Sequence, residues 1–394
     1  MNILDPVRVG ALIGSVYEAA LDATRWPAFL ERLASSLDAG GGMIWMHDFR
    51  NSSADLQGHG SDVSATVRMG ESALASYASH YSGCNVWAAN EAVLAEGATV
   101  TSSMLYPDRL LERTEFCNDW LGPQNLFYAL GGAVIKQDTR SVKLSFMRSK
   151  RAGEYSADEF RLMEELMPHL QRAVELHRRL YKINALSASA MAVLDMLPWG
   201  VVLLNSTGTV LHANRGAHRL SRETAAISFG ERGAVCGATA SATATIDAVI
   251  NSVVQTGLRN GTSPGGALRL KGAKGSELQI LVSPLPGWVS PFGEQAAGAI
   301  FLNDPHAKAG RLVNALQVMY RMTPAEAKLT ESLVNGHSLK AYAEKQCRTI
   351  NTVRSQLRSA TTKVGAKRQA DLVRIVLTGP IMVDGLTSVG ERQE

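Results

Sequence analysis

Apolar residues recur at helical spacing from Val9 to Leu37: Leu12, Val16, Ala19 and Ala20, then Trp26, Phe29, Leu30 and Leu33. Steps of three and four place them on one helical face, and Gly40-Gly41-Gly42 ends the pattern. Met43 to Met46 then reads as a strand and Asp48 to Ser53 as a turn, with further apolar runs at Ala133 to Lys136 and Val142 to Met147. A sheet flanked by helices is the simplest arrangement of these pieces. Ser156 to Glu159 forms a capping box, and Phe160, Met163, Met167, Leu170, Val174, His177 and Tyr181 follow it as a near-heptad stripe around Pro168. That stripe predicts a long helix, which either seals a seam between two copies or covers the N-terminal sheet.

Past residue 190 the period changes. Val201 to Asn205 and Thr209 to Ala213 predict two strands joined at Thr207-Gly208, and a helix begins at Asn214. Ala267 to Leu270, Glu277 to Ser283 and Ala297 to Asn303 predict three more strands, while the small-residue tracts Gly233 to Thr245 and Gly257 to Gly266 predict loops. From Thr323 the pattern is helical again. Thr323-Pro324-Ala325-Glu326 opens a helix with a capping box and proline at its first position, and Gly336 closes it. A short helix is expected over Ser338 to Lys345, and a third runs from the cap Thr349 to Val364. Val353, Leu357, Ala360 and Val364 lie on the inner face of this third helix; Arg354, Ser355, Arg358 and Lys363, with Gln356 alongside, lie on the outer one. A fourth helix covers Arg368 to Leu377, and the tail beyond Gly379 has little periodicity.

Composition adds two restrictions. The 394 residues are 45% hydrophobic and 19% charged, as in ordinary globular chains. No apolar run is long enough to span a bilayer, and the start, with Asp5 and Pro6, lacks a basic-then-apolar leader. Cys84, Cys117, Cys236 and Cys347 form no CxxC, so the expected compartment is a reducing cytoplasm, without disulfides or a zinc ribbon. Motifs of phosphate-binding loops, nucleophile elbows, zinc proteases and dinucleotide folds are all absent, so no enzyme activity, cofactor or metal is expected.

Charge changes the picture more. Residues 311–378 hold 12 Lys and Arg against 4 Asp and Glu, although the net charge of the whole chain is only +4. A basic end on a mildly acidic body is the pattern of a polyanion binder. Two short helices joined by a tight turn, the second exposing Arg, Ser and Gln, form a helix-turn-helix, whose second helix fits the DNA major groove.

The run TPAEAKLTESLVNGHSLKAYAEK, followed by NTVRSQLRSATTKVGAKRQADLVRIVL, resembles the LuxR-type (NarL-like) DNA-binding domain over residues 322–378. By that resemblance Arg354, Ser355 and Arg358 face base edges, Thr349, Thr352, Gln356 and Lys363 lie near the backbone, and Asn351 completes the DNA-binding set. The sequence departs from the family pattern at Cys347, where glycine is common, and at Arg348, Tyr342 and Gln356. The run LPWGVVLLNSTGTVLHANRGA resembles a PAS domain, in which His212, His218 and Cys236 are read as structural. The stretch 115–132 and the run MPHLQRA resemble the GAF- or PAS-like sensory regions that precede such DNA-binding domains.

Tyr77 to Tyr128 holds eight of the chain's 24 aromatic residues. Apolar pockets with a few polar groups bind small molecules, so Trp45, Tyr77, Tyr81, Cys84, Trp87, Trp120, Phe127 and Tyr128 are the candidate ligand-binding residues; a packed core is the alternative. The expected architecture is multidomain α+β. It comprises a GAF/PAS-like antiparallel-sheet domain (1–155), a connecting helix (156–190), a PAS-like domain (191–304), an all-α four-helix LuxR-type helix-turn-helix domain (311–379) and a flexible tail (380–394). The expected molecule is a homodimeric regulator that binds double-stranded DNA and an unidentified small molecule, with no membrane partner. The alternatives are a constitutive DNA-binding dimer and an N-terminal enzyme.

Overall fold

The computed structural model describes residues 3–56, 63–91, 94–272, 275–285, 296–307 and 312–382. It is a mixture of helices and antiparallel sheets that divides into two compact units, Met1–Ser187 and Ala188–Glu394. Among the described residues, no helix is long and apolar enough to cross a membrane. The tail called flexible from residue 380 lies outside the described residues from 383 onward.

The first unit opens with α1 (Pro6–Leu21) and α2 (Trp26–Ser36), the single helical run expected from Val9 to Leu37 being broken in two. Asp22 causes the break: it is extended, and its side chain accepts from the Thr24 amide to start a short 3-10 turn. Strand β1 (Gly41–Asp48) follows, then β2 (Ser53–Asp55) and β3 (Ala65–Val67). After short helical segments come β4 (Thr99–Thr101), β5 (Tyr128–Gln137) and β6 (Arg140–Arg148). The sheet order is β2-β1-β6-β5-β4, with β3 also on β1, and every pairing is antiparallel.

Side chains alternate across this sheet, and both faces are buried. Ile44, Met46, Val142, Leu144, Phe146 and Leu130 point one way into a core shared with α1 and α2. The long helix α8 (Ala157–Asp195) closes that core with Leu162, Met163, Leu166, Met167, Leu170, Ala173 and Val174. Fully burying each such side chain contributes about 1.5–3 kcal/mol. The apolar stripe through His177 therefore covers the sheet, whereas residues 181–190 of the same helix are all exposed. The helix continues through Pro168 to Asp195, five residues beyond the end expected for it.

One guanidinium fixes where α8 starts. Arg148, at the end of β6, is buried and donates to both carboxylate oxygens of Glu159 and to the carbonyls of Leu37, Gly153 and Glu154. Its fork also lies over the Tyr155 ring, 3.9 Å from the centroid. Glu159 in turn accepts from the Ser156 amide, completing the capping box.

The second unit begins with the end of α8 and a sheet made of β7 (Gly200–Leu204), β8 (Val210–Ala213), β11 (Gly266–Lys271), β12 (Glu277–Pro284) and β13 (Gly298–Asn303). A small ribbon, β9 (Ile227–Phe229) and β10 (Val235–Gly237), lies between α9 (Arg215–Thr224) and α10 (Ala240–Gly257). The sheet order is β11-β12-β13-β7-β8. Both sheets thus place their first strand between the second and the last, with the two preceding strands outward from the last. Asn214 is completely buried and fully used: it accepts from the amides of Val201 and Ala217 and donates to the carbonyls of Leu194 and Trp199. α10 overturns the expected loop over residues 233–245 from Ala240 onward. Thr239 caps it, and Ile246, Ile250, Val253 and Val254 bury one face, so alanine acts there as a helix former.

The last part is all helical: α11 (Val313–Tyr320), α12 (Pro324–Val334), α13 (Leu339–Lys345), α14 (Ile350–Val364) and α15 (Gln369–Thr378). α11 is an addition that the sequence pattern did not indicate. Leu316, Leu329, Leu333, Tyr342, Val353, Ala360, Leu372 and Val376 share one core.

The turn between α13 and α14 places Cys347 at φ 49°, in the left-handed region. A side chain there costs about 1–2 kcal/mol, a strain glycine avoids. Cys347→Gly should stabilise a fragment of residues 312–382 by about 1 kcal/mol, after some loss to the unfolded chain's greater freedom. Denaturant unfolding measures this, and an unchanged or lower midpoint would refute it.

Candidate functional site

The second face of the N-terminal sheet carries chemistry that the helical face lacks. Met43, Trp45 and His47 of β1 and Ser141, Lys143, Ser145 and Met147 of β6 share it by alternation and register. Over it lie α3 (Glu71–Ser76), a π-helical stretch Tyr77–Tyr81, α4 (Ser82–Cys84) and α5 (Val86–Glu91). They are followed by α6 (Ser102–Leu105), α7 (Asp108–Leu111) and a second π-helical stretch, Phe116–Leu121. Such π stretches are rare and occur frequently at functional sites.

Five rings form a connected cluster between sheet and cover. Trp45 meets Tyr77 edge-on at 6.2 Å, Tyr77 lies 4.8 Å from Trp120, Trp120 stacks on Phe116 at 5.3 Å, and Trp87 meets Phe116 edge-on at 5.3 Å. Polar contacts pin the cluster. Trp120 Nε1 donates to the Ala73 carbonyl, and Asn85 donates to the Tyr77 hydroxyl while its carbonyl caps α5.

A small cavity of about 30 Å³ opens between Trp45, Trp87, Asn85, Ser102, Lys143 and Ser145. Gly131 also lines it, because any side chain there would collide with the Leu144 carbonyl, 1.9 Å from the Cβ position. Two buried indole N–H groups, those of Trp45 and Trp87, have no hydrogen-bond partner in the structure. A buried donor left unpaired costs about 1–3 kcal/mol, so each such group needs an explanation. Lys143 is 3% exposed, and its ammonium sits 5.6 Å from the Trp45 ring centroid. Beside it, burial and then the Lys143 charge push His47 down to about 4, so its imidazole is neutral. The cavity is therefore of mixed polar and aromatic lining, with two unpaired indole donors among its surroundings and a buried Lys143. At about 30 Å³ it has room for about one water-sized molecule that offers acceptors.

Of the candidate ligand residues, Trp45, Tyr77, Trp87 and Trp120 come together in the cluster, and Trp45 and Trp87 line the cavity. Phe127 is buried in the same apolar core, and Tyr128 packs against it; the two rings lie 4.9 Å apart, with the Lys150 ammonium over Phe127. Tyr81 packs at the margin against His80, and Cys84 lies with His80 and Glu115 outside the cluster. The candidate ligand set omitted Phe116, Lys143, His47 and the cavity-lining Asn85, Ser102 and Ser145. Lys143 follows Val142 in an apolar strand, and only the register opposite Trp45 reveals its face.

In the C-terminal helices, Thr349 caps α14 by accepting from the Thr352 amide, and the two hydroxyls lie 2.9 Å apart. Asn351, Thr352, Arg354, Ser355 and Arg358 are exposed, and Gln356 is half-buried. Val353 and Ala360 hold the opposite face in the core. Lys363 is committed elsewhere: its ammonium donates to Glu326 at 2.6 Å, and Glu326 also accepts from Ser359 and from the Thr323 amide. Desolvation acts in the opposite direction, but the hydrogen bonds from Lys363, Ser359 and Thr323 hold the Glu326 carboxyl at about 2. This knot ties α12 to α14, so Lys363 serves the packing of α14 as well as its charge.

No protein-family model matches the chain. No curated protein matches it either. Among solved structures it is similar to the VqsR LBD domain from Pseudomonas aeruginosa, at 13% identity and a TM-score of 0.36, over 43% of this chain and 94% of that one. It is also similar to the Vibrio cholerae VqmA dimer in the absence of target DNA, at 15% identity and a TM-score of 0.20, over 49% and 88% of the two chains. The E. coli DhaR(N)-DhaL complex is similar at 12% identity and a TM-score of 0.33, over 74% and 86%. At such TM-scores these likenesses decide neither fold nor function.

The burial of neutral His47 has a measurable consequence. Its folded value of about 4 lies below the ordinary 6.5. The unfolded chain therefore binds the proton first as pH falls, and stability present above about 6.5 is lost towards 4. By pH 5 the loss attributable to His47 should be about 2 kcal/mol. His47→Gln should flatten that part of the pH–stability curve, as read by denaturant unfolding; an identical slope in the variant would contradict this account.

Proposed function

We propose that the chain is a DNA-binding transcriptional regulator whose N-terminal domain responds to a small molecule. The observation that carries this reading is α14. It is a capped helix, anchored in a core by Val353 and Ala360, and it presents Arg354, Ser355 and Arg358 to solvent from the most basic part of the chain. Arg side chains reach guanine edges in the major groove, and the capped N-terminus with Thr349, Asn351 and Thr352 suits the phosphates. The preceding α13, joined to it by the tight turn at Cys347, completes a helix-turn-helix of the LuxR type.

The sensing half of the proposal rests on the cavity beneath the aromatic cluster. Its two unpaired indole donors and buried Lys143 suit a small acceptor-bearing or anionic molecule. Ligand pockets usually enclose about 300 Å³ or more, so the cavity of 30 Å³ must grow by displacement of its cover. The cover consists of short helices and two π-helical stretches that bury Tyr77, Phe116 and Trp120, so a ligand must offset the cost of moving them. A ligand that binds the open arrangement better would shift the population towards it. The closed cavity also supports a second reading, in which the sensory domains bind nothing and the protein binds DNA constitutively.

Self-association enters through α8. Ile183, Leu186, Ala190 and Val193 follow 3-4-3 spacing on its exposed stretch, the pattern of a seam between two helices. Two copies would present two α14 helices to half-sites about one helical turn apart. The reading assigns the chain no catalytic step, no cofactor and a cytoplasmic location.

Full-length protein should select a preferred duplex from a random DNA pool. Arg354→Ala and Arg358→Ala should each weaken binding to that duplex by roughly 1–3 kcal/mol, with little change on unrelated DNA. Fluorescence anisotropy at fixed salt reads both. Failure to enrich any duplex, or unchanged affinity in Arg358→Ala, would end the proposal.

A further inference from the structure

His80 and Cys84 are four residues apart, so one helical face presents both. Glu115 directly precedes the second π-helical stretch and reaches the same spot. Its Oε1 lies 2.5 Å from His80 Nε2, Cys84 Sγ lies 3.7 Å from the same nitrogen, and Glu115 Oε2 lies 3.9 Å from that sulfur. Among the described residues this is the one set of three such side chains whose ligand atoms fall within 4.8 Å of one another.

The geometry is close to that of a tetrahedral zinc ion. With bonds of about 2.0 Å to nitrogen and oxygen and about 2.3 Å to sulfur, sulfur sits about 3.5 Å from each of the other donors and nitrogen about 3.3 Å from oxygen. The sulfur distances already match to within a few tenths of an ångström. These distances run to different Glu115 oxygens, so the carboxylate must turn to bring one oxygen to both partners and the His80–Glu115 contact must open by under 1 Å; both side chains are about half exposed. One thiolate, one imidazole and one carboxylate are donors that zinc accepts together, and solvent can supply a fourth.

We propose that His80, Cys84 and Glu115 bind a zinc-type divalent cation. The ion fastens together the two segments that cover the aromatic cluster. His80 belongs to the stretch that carries Tyr77, and Glu115 to the one that carries Phe116 and Trp120. These rings meet on the inner side, Tyr77 4.8 Å from Trp120, while the ligating side chains meet on the outer side. Metal occupancy therefore holds the cover closed over the sheet. The metal site stands whether or not the cavity takes a ligand.

The test uses the full-length, tag-free protein and cobalt(II) as a spectroscopic probe. One equivalent should bind with a thiolate-to-cobalt charge-transfer absorbance, and zinc should displace it. Cys84→Ser should abolish that absorbance, and Glu115→Gln should weaken binding at least about tenfold. Cys347→Ser removes an exposed thiol elsewhere and should change neither. Zinc should raise the melting temperature of the wild type and of Cys347→Ser but not of Cys84→Ser. Absence of the charge-transfer absorbance, its survival in Cys84→Ser or its loss in Cys347→Ser would overturn the site.

Discussion

Strand β1 constrains the whole first unit. Met43 and Trp45 point to one face of the sheet and Ile44 and Met46 to the other, and all four are buried. A strand that is apolar on both sides needs a layer on each. One layer is regular: α1, α2 and the first half of α8, whose stripes fit the sheet as ordinary amphipathic helices do. The other is irregular, built from short helices and two π-helical stretches. Apart from the buried Arg148–Glu159 pair, the unit's unusual features lie on that irregular side: the ring cluster, the unpaired indoles, buried Lys143, neutral His47 and the His80–Cys84–Glu115 group. Both layers bury apolar side chains on the sheet, and the irregular one adds polar and charged groups among them.

The same division separates what was legible in the sequence from what was not. Helices α12 and α14 could be read because caps and apolar spacing agree, as with Thr323, Glu326 and Gly365. Strands β7, β12 and β13 were legible from their apolar runs. α10 was misread because its first residues, Ala240 to Thr245, mix alanine with serine and threonine and carry no apolar stripe, which begins only at Ile246. The break at Asp22 was missed because the apolar spacing runs on through it, and only a side-chain bond to Thr24 decides the backbone there.

The candidate site was only half legible, for a related reason. Aromatic density between Tyr77 and Tyr128 indicated a cluster, but membership depends on which way each ring turns. Trp87 and Trp120 join the connected rings, whereas Phe127 is buried in the same core beside Tyr128, which opens β5. Lys143 and His47 look like surface residues in a one-dimensional pattern. They become site residues only because cross-strand register puts them beneath a second covering layer.

At the C-terminus the sequence showed which residues α14 exposes, and the structure adds how the helix is held. Glu326 receives Lys363, Ser359 and the Thr323 amide, so the cap of α12 and the packing of α14 share one carboxylate. A reading helix must keep its orientation while its outer face is wet and charged, and repulsion among Arg354, Arg358 and their basic neighbours works against that. An acidic anchor on the inner side offsets some of this repulsion without occupying the outer face. Lys363, which resemblance assigns to the DNA backbone, is held in the structure by Glu326, and this contact helps fix the orientation of α14.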